Sequence, residues 1–100
     1  MNAESLLKER RVLSNNSFLD TVIWRIPQPL PGCRHGFKYR LAFVVDGVCI
    51  LRFDNETGKG DHKHVGEKEI SYTFETPAQL VDDFLAYVNQ WRQVHESSHD

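Results

Sequence analysis

A chain of 100 residues and 11.6 kDa has surface enough to bury one compact core and not two, so one domain spanning residues 1–100 is expected. Its 40% hydrophobic, 11% aromatic and 26% charged residues exclude a disordered tail or a fibrous repeat. The net charge of −2 is uneven: Arg34 to His64 holds six Lys/Arg against four Asp/Glu and three of the five histidines, whereas Glu75 to Asp100 holds one Arg against five acids. A basic, histidine-rich middle suits an anionic ligand on one face.

No apolar run approaches the roughly 18 residues of a membrane span. Glu4, Lys8, Glu9, Arg10 and Arg11 break up the N-terminus too often for a signal peptide, so a cytoplasmic location and no membrane contact are expected. Cys33 and Cys49 are too few for a disulfide framework and lack metal-pair spacing. Both read as reduced thiols, with Cys49 a small buried residue in an apolar run.

Along the chain, Leu6–Leu13 and Phe18–Ile26 flank the turn-forming Ser14-Asn15-Asn16-Ser17 and read as a hairpin, with a short helix over Glu4–Val12 as the alternative for the first run. Pro27-Gln28-Pro29-Leu30-Pro31-Gly32 lacks three backbone donors and should be a stiff, extended connection. Phe37 to Val45 alternates, Asp46-Gly47 is a strong hairpin signal, and Val48 to Asp54 runs back. A two-residue turn there pairs Val45 with Val48, Phe43 with Ile50, Leu41 with Arg52 and Tyr39 with Asp54. Glu69 to Phe74 alternates again. Thr76-Pro77-Ala78-Gln79 then announces a helix, with Thr76 as N-cap, Pro77 at the first helical position and Gln79 completing a capping box. Leu80, Val81, Phe84, Leu85, Val88 and Trp91 form its apolar stripe. Residues beyond about 95 should fray. The sum is an α+β domain: an antiparallel twisted β-sheet of four to five strands with a C-terminal helix packed on one face.

The chemistry-bearing segment is Phe53-Asp54-Asn55-Glu56-Thr57-Gly58-Lys59-Gly60-Asp61-His62-Lys63-His64. Gly58 and Gly60 flank Lys59, so the backbone there can bend sharply, approach a ligand and cradle an anion. The spacing is not that of a Walker A loop. On an extended chain His62 and His64 share a side, with Lys63 opposite. Three readings follow from the residues. An imidazole titrates near pH 6.5, so one His can accept a proton while the other donates one, as RNA cleavage requires, with Lys59 or Arg40 offsetting charge in the transition state. Alternatively His62, His64 and Asp61 or Asp54 ligate a divalent ion. The third reading is a solvated loop that docks a partner without chemistry.

The same run resembles the signature of the TumE-like toxins of bacterial and archaeal toxin–antitoxin systems. The resemblance extends through Val22–Pro27, Lys38–Ala42 and Val45–Val48 into the helix. The run departs from the signature at Phe53, where tyrosine is common, and at Lys63, where arginine is common. Lys63 keeps the charge and loses the bidentate fork. The resemblance implies a toxin neutralised by direct binding of a cognate antitoxin. Small toxins of such modules commonly act on RNA or translation.

The resulting expectation is a toxin acting on RNA, a metal-independent endoribonuclease if it is an enzyme. Its catalytic candidates are His62, His64, Lys59 and Asp54. Lys38, Arg40, Arg52 and Lys63 are the RNA contacts, and Asn55, Gly58, Gly60 and Asp61 shape the loop. No residue is assigned to a metal and no cofactor is expected; the partners are RNA and the antitoxin. The alternative is a non-enzymatic nucleic-acid- or protein-binding module using the same loop.

Overall fold

The computed structural model describes residues 3–96, and the expected fraying of the tail concerns residues that lie mostly outside that range. Six strands and one helix follow in order: β1 Glu4–Ser14, β2 Ser17–Arg25, β3 Phe37–Val45, β4 Val48–Glu56, β5 Gly60–Val65, β6 Lys68–Ser71 and α1 Pro77–Glu96. Each strand pairs antiparallel with its chain neighbour, so the sheet is a meander in sequence order. The Asp46-Gly47 turn has both residues at positive φ, 52° and 76°, the primed-turn geometry that matches strand twist. Its tip is tied to the first hairpin, where Asn16 Nδ2 donates to Asp46 Oδ1 at 3.0 Å.

The sheet has one strand more than the expected four to five, because the histidine segment is itself a strand, β5. Its alternation is hidden from a hydrophobicity reading. His62 and His64 take one face, Asp61, Lys63 and Val65 the other, and only Val65 is apolar. β6 ends at Ser71 rather than Phe74.

The central hairpin also departs from the expected register. Val45 pairs with Val48 and Val44 with Cys49, but the ladder then skips Ile50, so that Phe43 pairs with Leu51, Leu41 with Phe53 and Arg40 with Asp54. Unshifted, core residue Leu41 would face Arg52. The bulge sets Phe43 against Leu51 and Leu41 against Phe53 on one face and Arg40 against Asp54 on the other. Cys49, expected to be buried, is exposed beside this irregularity; both thiols are free.

The helix begins at Pro77 under a Thr76 cap, whose Oγ1 accepts from the Gln79 N–H at 3.0 Å. Gln79 sends its own side chain forward to Asp83 instead of closing the capping box. Leu80, Phe84 and Val88 are buried against Leu19, Ile23, Tyr39, Leu41, Phe43, Leu51 and Phe53. Phe53 meets Phe84 edge-on at 5.8 Å, and Phe43 meets Trp91 likewise at 5.3 Å. The helix thus occupies one face of the sheet. The other face is the one that carries His62 and His64.

Candidate functional site

Directly opposed residues in an antiparallel ladder share a face, so the register alone lays out the uncovered side. One cross-strand row runs Lys8, Val22, Arg40, Asp54, His62, Ser71. The next runs Arg10, Asp20, Ala42, Arg52, His64, Glu69. The two rows place Arg40, Arg52, Asp54, His62, His64 and Glu69 side by side on β3 to β6.

Asp54 is the hub. Its Oδ1 lies 3.3 Å from His62 Nε2 and 3.7 Å from His64 Nε2, and its Oδ2 lies 3.1 Å from Arg52 Nε. Arg52 Nη2 stands 3.0 Å from His64 Nε2. A guanidinium only donates, so His64 Nε2 is the acceptor in this contact. Asp54 and His62 are 7% and 4% exposed, yet Asp54 Oδ1, His62 Nε2 and Arg52 Nε make no aligned hydrogen bond among the described residues. Enclosed polar atoms without a partner cost stability, and they mark the atoms where a ligand or a proton would be accepted. Glu69 Oε1 approaches His62 Nε2 to 3.8 Å from the edge strand. Asp54 joins the histidines, whereas Asp61 faces His35 and Tyr39 across the sheet.

The other candidates fall elsewhere. Lys38 donates to the Asn55 carbonyl at 2.7 Å, and Arg40 is exposed next to the cluster. Lys63 points to the helix face, where its Nζ donates to Tyr87 Oη at 2.8 Å and lies 4.7 Å from that ring's centroid. Its ladder partner Phe53 is buried in the core, so both departures from the TumE-like signature lie across the sheet from the histidines. Lys59 sits in the β4–β5 turn and pairs with Glu56 at 3.9 Å; none of its contacts reaches the cluster.

Gly58 and Gly60 have φ of 82° and 78°. The close approach they permit is to the chain's own proline loop. Gly58 N–H donates to the Pro31 carbonyl, and the Lys59 N–H is taken by Glu56, so neither amide remains to cradle an anion. A Cβ at Gly60 would stand 2.9 Å from the Gly32 carbonyl oxygen, whereas at Gly58 it would meet open space. Gly58→Ala is therefore expected to cost about 1 kcal/mol for left-handed backbone alone. Gly60→Ala should cost clearly more, as read from paired thermal melts; equal losses would contradict the clamp.

Asn55 and Asp61 organise a second polar cluster, on the helix face. Asn55 is fully buried, accepting from the Tyr39 N–H at 3.0 Å and donating to the Phe37 carbonyl at 2.7 Å. Asp61 Oδ1 accepts from Tyr39 Oη at 2.7 Å and lies 2.8 Å from His35 Nε2. Burial and that carboxylate push the Tyr39 phenol far up. Phe74 stacks on His35 with centroids 3.8 Å apart. The Cys33 thiol, also raised by burial and by Asp61, adjoins the cluster and is not activated. Tyr39, His35 and Glu69 were not singled out from the sequence. His35 shows in the sequence only as one histidine of the basic middle, and Glu69 as an acid in an alternating strand.

A small sheet-and-helix α+β protein with an ionisable cluster on its uncovered face is the class that fold and site define. Residues 2–92 match the profile of a family described as toxin TumE, and the chain belongs to that family. No curated protein and no solved structure matches it. No described helix is long and apolar enough to cross a membrane.

Proposed function

We propose that this toxin-family protein acts on RNA, cleaving it by metal-free acid–base chemistry, and that a cognate antitoxin neutralises it by direct binding. The observation that carries the reading is the convergence of Asp54 Oδ1, His62 Nε2 and His64 Nε2 beside Arg52 and Arg40 on the uncovered face. Cleavage by the ribose 2′-oxygen needs a base for the hydroxyl proton and an acid for the leaving 5′-oxygen. It also needs positive charge near the phosphorane-like transition state. His64 is the more accessible imidazole, at 24% side-chain exposure against 5% for His62. It takes the hydroxyl proton on Nε2 as Arg52 turns from that nitrogen to the phosphate. Protonated His62, 3.3 Å from Asp54 Oδ1, then gives its proton to the leaving oxygen. Arg40 and Lys38 hold flanking phosphates; Lys59 and Lys63 have no part in this reading.

The burial of His62 favours one alternative, a module that docks RNA or a protein without chemistry. Growth assays of the folded His62→Ala/His64→Ala protein separate the two. Loss of toxicity with RNA affinity retained supports catalysis, and full toxicity refutes it. RNA binding itself should weaken as salt rises, because each neutralised phosphate releases counterions. For single-stranded RNA, Arg40→Ala should reduce the log–log salt slope by about 0.7. Affinity indifferent to both salt and Arg40 would point to a protein partner on this face.

A further inference from the structure

We infer that Asp54, His62 and His64 form a binding site for a divalent transition-metal ion of the zinc type, and that an ion held there switches the toxin off. Two imidazole nitrogens and one carboxylate oxygen are the donor set such ions prefer. The three ligand atoms lie within 4.8 Å of one another. Tetrahedral bonds of about 2.0–2.1 Å place neighbouring ligand atoms about 3.3 Å apart. Asp54 Oδ1 stands 3.3 Å and 3.7 Å from the two Nε2 atoms, so the ion needs only a small adjustment of side chains. The ligands ride on paired strands, Asp54 directly opposite His62, which fixes their separation.

The second observation is independent of the spacing. Asp54 Oδ1 and His62 Nε2 are enclosed and make no hydrogen bond among the described residues, so two of the three ligand atoms are already stripped of solvent and face each other, His64 and Glu69. Glu69 Oε1, 3.8 Å from His62 Nε2 on an exposed side chain, can supply a fourth oxygen. The other such set among the described residues, Cys33, His35 and Asp61, is committed elsewhere. His35 Nδ1 accepts the Phe37 N–H, leaving the Nε2 proton for Asp61.

Arg52 is the built-in competitor. Its guanidinium covers the His64 lone pair and balances Asp54, which is the work an ion would do. At 31% side-chain exposure it can swing out when an ion enters. The inhibitory half of the inference rests on the RNA reading above: an ion on both Nε2 atoms removes the lone pair and the proton that cleavage uses. The binding half does not depend on it.

The test is a titration of the metal-stripped full chain with Zn²⁺ by calorimetry and with Co²⁺ by visible absorption. One ion per chain is expected. His64→Gln, at the half-buried position, should abolish that transition, Arg52→Gln should tighten it, and Cys33→Ser should leave it unchanged. Circular dichroism checks that each variant is folded. No stoichiometric binding, or binding untouched by His64→Gln, overturns the site. In RNA assays Zn²⁺ should suppress cleavage and chelator should restore it. Stimulation by Zn²⁺ overturns the inhibitory role. One-to-one binding with no cleavage under any condition removes the RNA reading and the inhibition together, and leaves the metal site standing.

Discussion

His64→Ala is expected to lower RNA turnover by about 10²–10⁴-fold, the usual contribution of one general acid or base. The side chain is half-buried on the uncovered face and takes no part in the core, so its loss should leave the fold intact. RNA affinity should change little, because a neutral imidazole neutralises no phosphate. The loss should therefore appear in kcat rather than KM. Single-turnover cleavage and a parallel binding measurement on the same protein check this. A tenfold loss of affinity with unchanged turnover would make His64 a docking residue.

Phe84→Ala is expected to destabilise the protein by about 3–5 kcal/mol, a large part of the stability of a domain this size. Phe84 is 0% exposed and meets the Phe53 ring, which is itself fully buried at the centre of the sheet's covered face. Helix α1 reaches the sheet mainly through Leu80, Phe84 and Val88, so the remaining core has little freedom to close the cavity. Urea unfolding of the variant measures the loss; a change under about 1 kcal/mol would contradict the packing of α1.

Much of this fold is legible in the residues. The Asp46-Gly47 turn, the asparagine turn of the first hairpin and the Thr76-Pro77 helix start all carry local chemistry that fixes their place. What stayed hidden lacked such chemistry. β5 carries its alternation in histidines, a lysine and an aspartate, which a hydrophobic period does not register. The bulge at Ile50 follows from a conflict between strands, visible only when Leu41 and Arg52 are set opposite each other. It also decides the site, since it brings Arg40 beside Asp54 in place of Tyr39. The pairing of the histidines was readable from their spacing of two. The choice of Asp54 over Asp61 was not, because it depends on which residue of β4 faces His62. Gly58 and Gly60 show the opposite error: their freedom is real, and the chain spends it on its own Gly32 loop.

We propose that this cluster cleaves RNA through the 2′-oxygen without a metal. Attack by that oxygen leaves a 2′,3′-cyclic phosphate on one product and a free 5′-hydroxyl on the other. The most direct measurement is mass spectrometry of the product ends after incubating a defined RNA with the purified protein in excess chelator. Cyclic phosphate and 5′-hydroxyl ends are expected, formed by the wild type and lost in folded His64→Ala. Intact RNA, or products with 5′-phosphate ends, would contradict it.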